Sequence, residues 1–203
     1  METVDVIIAT YGDRDVWDVL ADRAVASAGN QTVRPNSIIR SHEVNLALAR
    51  NLGAQASDAD WLIFLDADDE LDPYYIEAML SGDGDIRQPM TLGVTDGVED
   101  DYPVLIPPKS GGFMVGNHLV IGSMVRRELF MVAGGFADMP VLEDWDLWIR
   151  CRLSGGEVGT APAAIYRVHV RTESRNTEQN GHHHYYSLIQ NQYQQVWFAQ
   201  GFQ

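Results

Sequence analysis

The chain has 203 residues, which is the size of one domain. Hydrophobic residues make up 45% of it, so it can bury a core without the help of disulfides. Its 14 Lys and Arg against 29 Asp and Glu give a net charge of −15. This charge repels phosphate backbones and anionic lipid, which disfavours a nucleic-acid or membrane-surface partner. A nucleotide is still possible, because a divalent cation can screen carboxylates locally.

The cysteine count and the distribution of apolar residues favour a cytoplasmic protein. Cys151 is the single cysteine, which suits a reducing compartment, and its amphipathic surroundings predict a buried thiol. The N-terminal residues lack the basic and apolar regions of a signal peptide. No stretch approaches the ~20 apolar residues of a membrane span.

The first part of the chain alternates predicted strands and helices. Apolar, β-branched runs predict strands, and apolar residues at helical spacing predict helices. The strands are expected at 4–10, 37–40 and 61–65, and the helices at 16–28, 45–56 and 73–80. This alternation predicts a mostly parallel sheet with helices on both faces, and such sheets bind ligands at the carboxyl ends of their strands.

The remaining chain gives a weaker pattern. Residues 91–116 are rich in Gly, Pro and Asp and are predicted to be irregular. Residues 117–130 indicate a strand that runs into a short helix, 144–153 a helix, and 164–170 a last strand. Five large residues then share one face of a terminal helix: Tyr185, Ile189, Tyr193, Val196 and Trp197.

An acidic cluster follows the strand at 61–65. Asp66-Ala67-Asp68-Asp69-Glu70-Leu71-Asp72 holds five carboxylates in seven residues, and a divalent cation is the usual way to hold such groups together. A calcium loop of the EF-hand type is excluded, because Leu71 stands where that loop needs glycine and a strand precedes it. A solvated turn with acids at a helix N-terminus stays open as the alternative.

Several segments, in order, resemble family 2 glycosyltransferases. They are the opening strand at 6–11, the helix at 45–53, the metal strand and DxD motif at 61–69, the segment 122–136 with Gly134-Gly135-Phe136, the segment Glu143-Asp144-Trp145-Asp146 and the strand at 166–169. The resemblance spans residues 4 to about 176. It implies a GT-A fold, a Rossmann-like sheet flanked by helices on both faces.

The resemblance assigns a metal site. Asp66 and Asp68 are the expected ligands of Mn²⁺ or Mg²⁺, which would neutralise the leaving diphosphate of the donor. His169 is a candidate third ligand, with a packed or hydrogen-bonded histidine as the alternative.

The resemblance also assigns a catalytic base. Inverting transfer needs a group that takes the proton of the acceptor hydroxyl. Asp144 fits this role, with Glu143 as the nearest substitute, and both could also cap the following helix. Trp145 and Trp148 could stack on a sugar, although core positions are more common for tryptophans on a helix face.

The nucleotide side departs from the family. Thr10, Tyr11 and Asp13 are candidates for base and ribose contacts. Arg50, Asp66 and Ala67 are candidates for contacts to the nucleotide or its diphosphate, with a surface ion pair as the alternative for Arg50. The family's acidic turn after the second strand is replaced by Ser41-His42-Glu43, which puts the identity of the nucleotide in doubt.

The sequence thus predicts a metal-dependent, inverting glycosyltransferase. The expected donor is a UDP- or GDP-sugar, and the acceptor is an unknown glycan, lipid or protein. A non-catalytic nucleotide-sugar-binding module and a related nucleotidyltransferase are the alternatives. The predicted catalytic domain covers 1–176, with a nucleotide-sugar half at about 1–88 and an acceptor half at about 89–176. A helical tail is expected at 177–203.

Overall fold

Three parallel strands carry the first half of the chain in the computed structural model, which describes residues 2–109, 112–170 and 181–202. They are β1 (Val4–Tyr11), β2 (Ser37–Glu43) and β3 (Trp61–Asp66), with β1 in the middle. Ala9 pairs with Asp66 and Thr10 with His42, so the three carboxyl ends meet at one edge of the sheet. The predicted strands are confirmed.

Helices follow these strands as predicted, and local signals set where two of them begin. They are α1 (Arg14–Gly29), α2 (Leu46–Gln55) and α3 (Tyr75–Ser81). Asp13 and Asn45 cap α1 and α2, each accepting a hydrogen bond from a backbone N–H of the first turn. Only Val44 and Asn45 separate β2 from α2, so the turn after β2 is as short as the sequence indicated.

The second half of the chain completes the sheet. It adds β4 (Glu70–Leu71), β5 (Ile86–Thr95), β6 (Val98–Glu99), β7 (Met124–Arg126) and β8 (Val158–Val170). The order is β2-β1-β3-β7-β5-β8-β4, and β6 pairs with β5. Because β7 is antiparallel to both β3 and β5, the strands β3, β5 and β8 run in one direction. The sheet is therefore mixed, with its five longest strands oriented alike.

The prediction of irregular structure from residue 91 onward is wrong at its beginning. Thr91 to Thr95 form the end of β5, and Val98–Glu99 is a strand as well. Pro89, Gly93 and several polar residues hide the strand pattern, and the pairing with β8 shifts register between Pro89 and Met90. The strand expected within 117–130 is confined to Met124–Arg126.

The last strand starts earlier than predicted, and three further helices pack beside the sheet. β8 already begins at Val158. The helices are α4 (Arg127–Val132), α5 (Glu143–Leu153) and α6 (His182–Ala199). The limit between the predicted domain and tail, 176/177, lies outside the described residues. None of the helices in the described ranges is long and apolar enough to cross a membrane.

Candidate functional site

The acidic cluster is a tight reversal between two strands. β3 ends at Asp66, the backbone N–H of Asp69 donates to the Asp66 carbonyl at 3.0 Å, and β4 then pairs with Tyr166 and Arg167 of β8. A strand thus precedes and follows the turn, which confirms that it is not an EF-hand loop. The turn lies at the carboxyl edge of the sheet, where the sequence placed it.

Asp69 is the buried member of this cluster. It is 6% exposed and accepts a hydrogen bond from the His169 backbone N–H at 2.8 Å. The hydroxyl of Tyr166 is also bonded to Asp69, and it accepts a hydrogen bond from the Asp66 backbone N–H at 3.3 Å. Burial, followed by the charges of Asp66 and Asp68, raises the pKa of Asp69 well above its usual range.

Arg50 joins the two halves of the site. Its guanidinium donates to the carboxylate of Asp66 at 2.7 Å and to that of Glu143 at 2.9 Å, and it lies over the ring of Phe136. Arg50 is 2% exposed, so it is not the surface cation that the sequence left open as an alternative. Burial by itself lowers the pKa of Arg50. The two carboxylates raise this pKa by more, so the net shift is upward. Arg50 fixes the distance between the acidic turn and α5.

Asp144 lies in the first turn of α5 and is held from two sides. Its Oδ2 accepts a hydrogen bond from the Asn117 side-chain amide at 2.8 Å, and its Oδ1 accepts one from the Trp145 backbone N–H at 2.7 Å. Burial, followed by the charge of Glu143, raises the pKa of Asp144 to about 7. Such a carboxyl group changes protonation state near neutral pH.

The residue before this pair has an unusual backbone. Leu142, at the N-cap position of α5, has φ +62° and makes no capping hydrogen bond with its side chain. A left-handed conformation is uncommon for a bulky residue, and such strain is concentrated at functional sites. It places Glu143 against Arg50 and Asp144 beside Asn117.

A cavity of about 320 Å³ brings these groups together. Its polar lining includes Asp66 and Asp69 from the acidic turn, Asp144 from α5, and Arg50 between them. The first and last of these acids are far apart in the sequence, but both belong to segments that carry the family resemblance. Asn117 also lines the cavity, and sequence reasoning missed it because it lies in no motif.

The predicted metal ligands are only partly brought together. The ring Nε2 of His169 forms a hydrogen bond of 2.6 Å with Glu70, and Asp66 binds Arg50. Within the described residues, no three His, Cys, Asp or Glu side chains are arranged to hold a metal ion. Asp66 and Asp68 are both half-buried, and a metal ion held by their carboxylates stays a prediction. His169 as a ligand stays a prediction.

A second cavity, of about 290 Å³, lies at the carboxyl ends of β1 and β2. Thr10, Arg14, Ser41 and His42 are among its lining residues. The hydroxyl of Thr10 and Nδ1 of His42 form a hydrogen bond of 2.9 Å. Tyr11 is half-buried and its ring is stacked with Trp17 at 6.3 Å, whereas the exposed Asp13 caps α1.

The two tryptophans that the sequence considered for stacking on a sugar are structural. Trp145 and Trp148 are 1% and 0% exposed, and the Trp145 indole N–H donates to the Phe113 carbonyl at 2.8 Å, so both belong to the core rather than to a sugar platform. Cys151 is buried as predicted. Ala67 is buried in the acidic turn.

The sheet and its helices form the GT-A fold, and comparisons with known proteins agree. Residues 21–104 match the model of glycosyl transferase family 2. This match confirms the resemblance drawn from the sequence and supports a glycosyltransferase. No curated protein sequence matches the chain.

The solved structures that resemble the chain include TarS of S. aureus. The TarS 1-349 complex with UDP-GlcNAc superimposes with a TM-score of 0.67 at 12% identity, over 87% of this chain and 61% of that one. The TarS 1-349 complex with UDP gives 0.64 at 12% identity, over 97% and 72%. The chain therefore spans about three fifths of the first of these structures, and the likeness concerns the fold.

Proposed function

We propose that the chain transfers a sugar from a nucleotide-diphospho-sugar to a hydroxyl acceptor, with inversion at the anomeric carbon. The observation that carries this proposal is the cavity in which Asp144, with a pKa of about 7, faces the same space as Asp66. TarS, which has the same fold, is known in complexes with UDP-GlcNAc and UDP, and this favours a UDP-sugar donor.

In this proposal Asp144 is the general base. Its pKa near 7 suits a group that takes a proton from the acceptor hydroxyl as the new bond forms. The Asn117 amide and the Trp145 N–H hold the carboxylate in place. Glu143 is bound to Arg50, so it acts through position and charge rather than as the base.

The acidic turn is the proposed diphosphate end of the donor site. Asp66 and Asp68 would hold Mn²⁺ or Mg²⁺, which when bound neutralises charge on the leaving diphosphate. Arg50 restrains the Asp66 carboxylate through a 2.7 Å hydrogen bond. Thr10 and Tyr11, at the end of β1, are the proposed contacts to the nucleoside, with His42 beside Thr10.

A non-catalytic nucleotide-sugar-binding module is the second candidate. It is favoured by the pairing of His169 with Glu70 and of Arg50 with two carboxylates, which leaves these groups engaged within the protein. We also propose a reducing, cytoplasmic location, which the free thiol of Cys151 supports.

Release of nucleoside diphosphate tests the proposal. The chain is incubated with UDP-, GDP- and TDP-sugars and Mn²⁺, with and without acceptors. We expect release that Asp68→Ala and Asp144→Ala reduce at least 100-fold. Asp58→Ala should leave it unchanged, because Asp58 is exposed and precedes the amino end of β3, whereas Asp66 is at its carboxyl end. The rate should rise with pH to a plateau above about 7, because the base must be deprotonated.

Two other results would contradict this function. Metal-dependent nucleotide binding without release, in the presence of acceptors, would identify the binding module. Absence of both nucleotide and metal binding would overturn the donor site as a whole.

A further inference from the structure

The cavity that contains Asp144 has a polar floor and apolar walls. The carboxyl groups of Asp66, Asp69, Glu143 and Asp144 and the guanidinium of Arg50 lie along one part of it. The apolar walls come from four separate segments of the chain and include Ile106, Leu119, Ile121, Val141 and Val168. A ligand that fills this cavity would contact both charged groups and hydrocarbon.

An exposed apolar strip directly precedes and includes Ile106 of these walls. We define it as the four side chains Tyr102, Val104, Leu105 and Ile106, which are 69%, 46%, 37% and 37% exposed. Ile106 belongs both to the strip and to the cavity. Neighbouring exposed apolar side chains that continue into a site are typical of a surface that binds a ligand.

The strip is anchored to the sheet. The side-chain amide of Gln88, in β5, donates to the Ile106 carbonyl at 2.8 Å and to the His118 carbonyl at 2.7 Å. Val104 and Thr91 exchange two backbone hydrogen bonds, each of 2.8 Å. These bonds hold the apolar wall in place before a ligand arrives, which lowers the entropy cost of binding.

Charge in the cavity disfavours an anionic acceptor, because the metal ion proposed at the acidic turn would neutralise the diphosphate of the donor and not a second anion. Four carboxyl groups line it against the single guanidinium of Arg50. His118 adds no positive charge, because burial lowers its pKa and keeps the imidazole neutral. The chain as a whole carries a net charge of −15. An acceptor with phosphate or carboxylate groups would meet repulsion near the floor.

We propose that the acceptor of this site is an uncharged alcohol or phenol whose hydroxyl is attached to an apolar body. This inference rests on the proposed function and names its substrate class. The hydroxyl reaches Asp144, and the apolar body lies against Ile106 and the exposed strip. The acceptor oxygen bonds to the anomeric carbon as the bond from that carbon to the diphosphate oxygen breaks. The electron pair leaves with the diphosphate, and the proton passes to Asp144.

A matched acceptor series tests this inference. Ethanol, 1-hexanol and 6-hydroxyhexanoate share a primary hydroxyl, and 4-butylphenol presents an aromatic body instead. We expect kcat/KM for 1-hexanol to exceed that for ethanol at least ten-fold, because one fully buried methylene contributes about four-fold and the strip is partly open. The anionic 6-hydroxyhexanoate should fall to the level of ethanol or below. The rate of 4-butylphenol relative to 1-hexanol distinguishes an aromatic from an aliphatic source.

Substitutions on and away from the strip show which side chains cause the preference for 1-hexanol. Ile106→Ser and Leu105→Ser should reduce the advantage of 1-hexanol over ethanol to less than three-fold. Val19→Ser removes a side chain that is 71% exposed on α1 and should leave this ratio unchanged. Equal rates for ethanol and 1-hexanol, or equal effects of the Ile106 and Val19 substitutions, would overturn the inference.

Binding separates this inference from the proposed function. Saturation-transfer NMR with UDP present measures contact of 1-hexanol and 6-hydroxyhexanoate with the protein without any turnover. Contact of 1-hexanol that Ile106→Ser abolishes, in a chain that releases no nucleoside diphosphate, would support the apolar site and contradict the catalytic role. Release of nucleoside diphosphate with polar acceptors but no preference for 1-hexanol would support the catalytic role and contradict the apolar site.

Discussion

The carboxyl group of Asp144 connects the proposed chemistry to the stability of the fold. An aspartate in an unfolded chain has a pKa of about 3.9, whereas the pKa of Asp144 in the fold is about 7. Between these values the folded state binds a proton that the unfolded state has lost. The free energy of unfolding therefore falls as pH rises from about 4 to about 7, and Asp144 causes no further loss above that range.

Asp144→Asn should remove this pH dependence. At pH 8 we expect the variant to be more stable than the parent by about 2 kcal/mol, because the buried charge is gone and part of the gain offsets one weakened hydrogen bond. At pH 4 the parent should be at least as stable as the variant. Urea denaturation at the two pH values measures both differences, and Asp58→Asn is the exposed control. Parallel stability curves for parent and variant would show that Asp144 titrates normally.

The individual residues of the site could be predicted from the sequence, but not their partners. Asp66 and Asp144 lie in segments with a recognisable pattern of acids and aromatic residues. Arg50 was predicted at a nucleotide, but its hydrogen bond to Glu143, 93 residues away, was not predicted. Asn117 reaches Asp144 across 27 residues. Such contacts depend on how strands from both halves meet, and no local pattern encodes that.

At the scale of elements, Tyr166 of β8 holds the acidic turn in place through its hydroxyl group. Its ring is fully buried, and its hydroxyl accepts a hydrogen bond from the Asp66 backbone N–H. The backbone of Gly122 lies flat against that ring, since a Cβ at this position would come within 2.2 Å of the Tyr166 Cδ2. The carbonyl of Gly122 is fixed in addition by the Tyr75 hydroxyl at 2.7 Å. Neither the Gly122 backbone nor the Tyr166 ring can therefore move easily to make room for a Cβ.

Gly122→Ala should therefore destabilise the fold and disturb the site together. We expect a loss of about 1–3 kcal/mol, as for other overpacked cores, with weaker nucleotide binding because Tyr166 shifts under Asp66. Gly29→Ala is the control, since its nearest atom would be the Ile38 Cδ1 at 3.9 Å and α1 should be unaffected or slightly more stable. Thermal unfolding and nucleotide titration measure the two effects. Equal behaviour of the two variants would contradict the close contact.

The elements that could be predicted are those whose signals are local. Apolar runs define β1 and β3, and Asp13 and Asn45 mark the starts of α1 and α2. β5 was missed because Pro89 and Gly93 interrupt it, and its stability comes from long pairing with β8. β7 was too short to be placed by pattern, although it is one of the three antiparallel strands, with β4 and β6, that make the sheet mixed.

At the scale of the whole molecule, α6 is part of the core. Ile189, Tyr193 and Trp197 are at most 8% exposed and belong to the same apolar cluster as the sheet. The hydroxyl of Tyr193 donates to Asp146 of α5 at 2.7 Å. The side-chain amide of Gln190 also donates to the carbonyl of Met114, which lies shortly before Asn117 of the cavity lining. The helix expected in the C-terminal tail thus packs against α5 and the segment around Met114.

Two adjacent aromatic residues of α6 test this arrangement. Trp197→Ala should cost about 3–5 kcal/mol, because Trp197 is 2% exposed and its removal leaves a large cavity. Phe198→Ala should cost less than about 1 kcal/mol, because Phe198 is 54% exposed. Urea denaturation followed by circular dichroism compares them in one assay. Similar losses for both variants would mean that α6 does not pack as described.

The burial of Cys151 has a practical consequence for labelling the apolar strip. Its thiol is enclosed in the core and burial raises its pKa to about 12, so almost no reactive thiolate is present at neutral pH. A maleimide dye should therefore leave the parent chain unlabelled. In a Tyr102→Cys variant the same dye would attach at one position, at the rim of the apolar strip. A single fluorescent reporter can thus be attached to the apolar strip without prior removal of the protein's own cysteine.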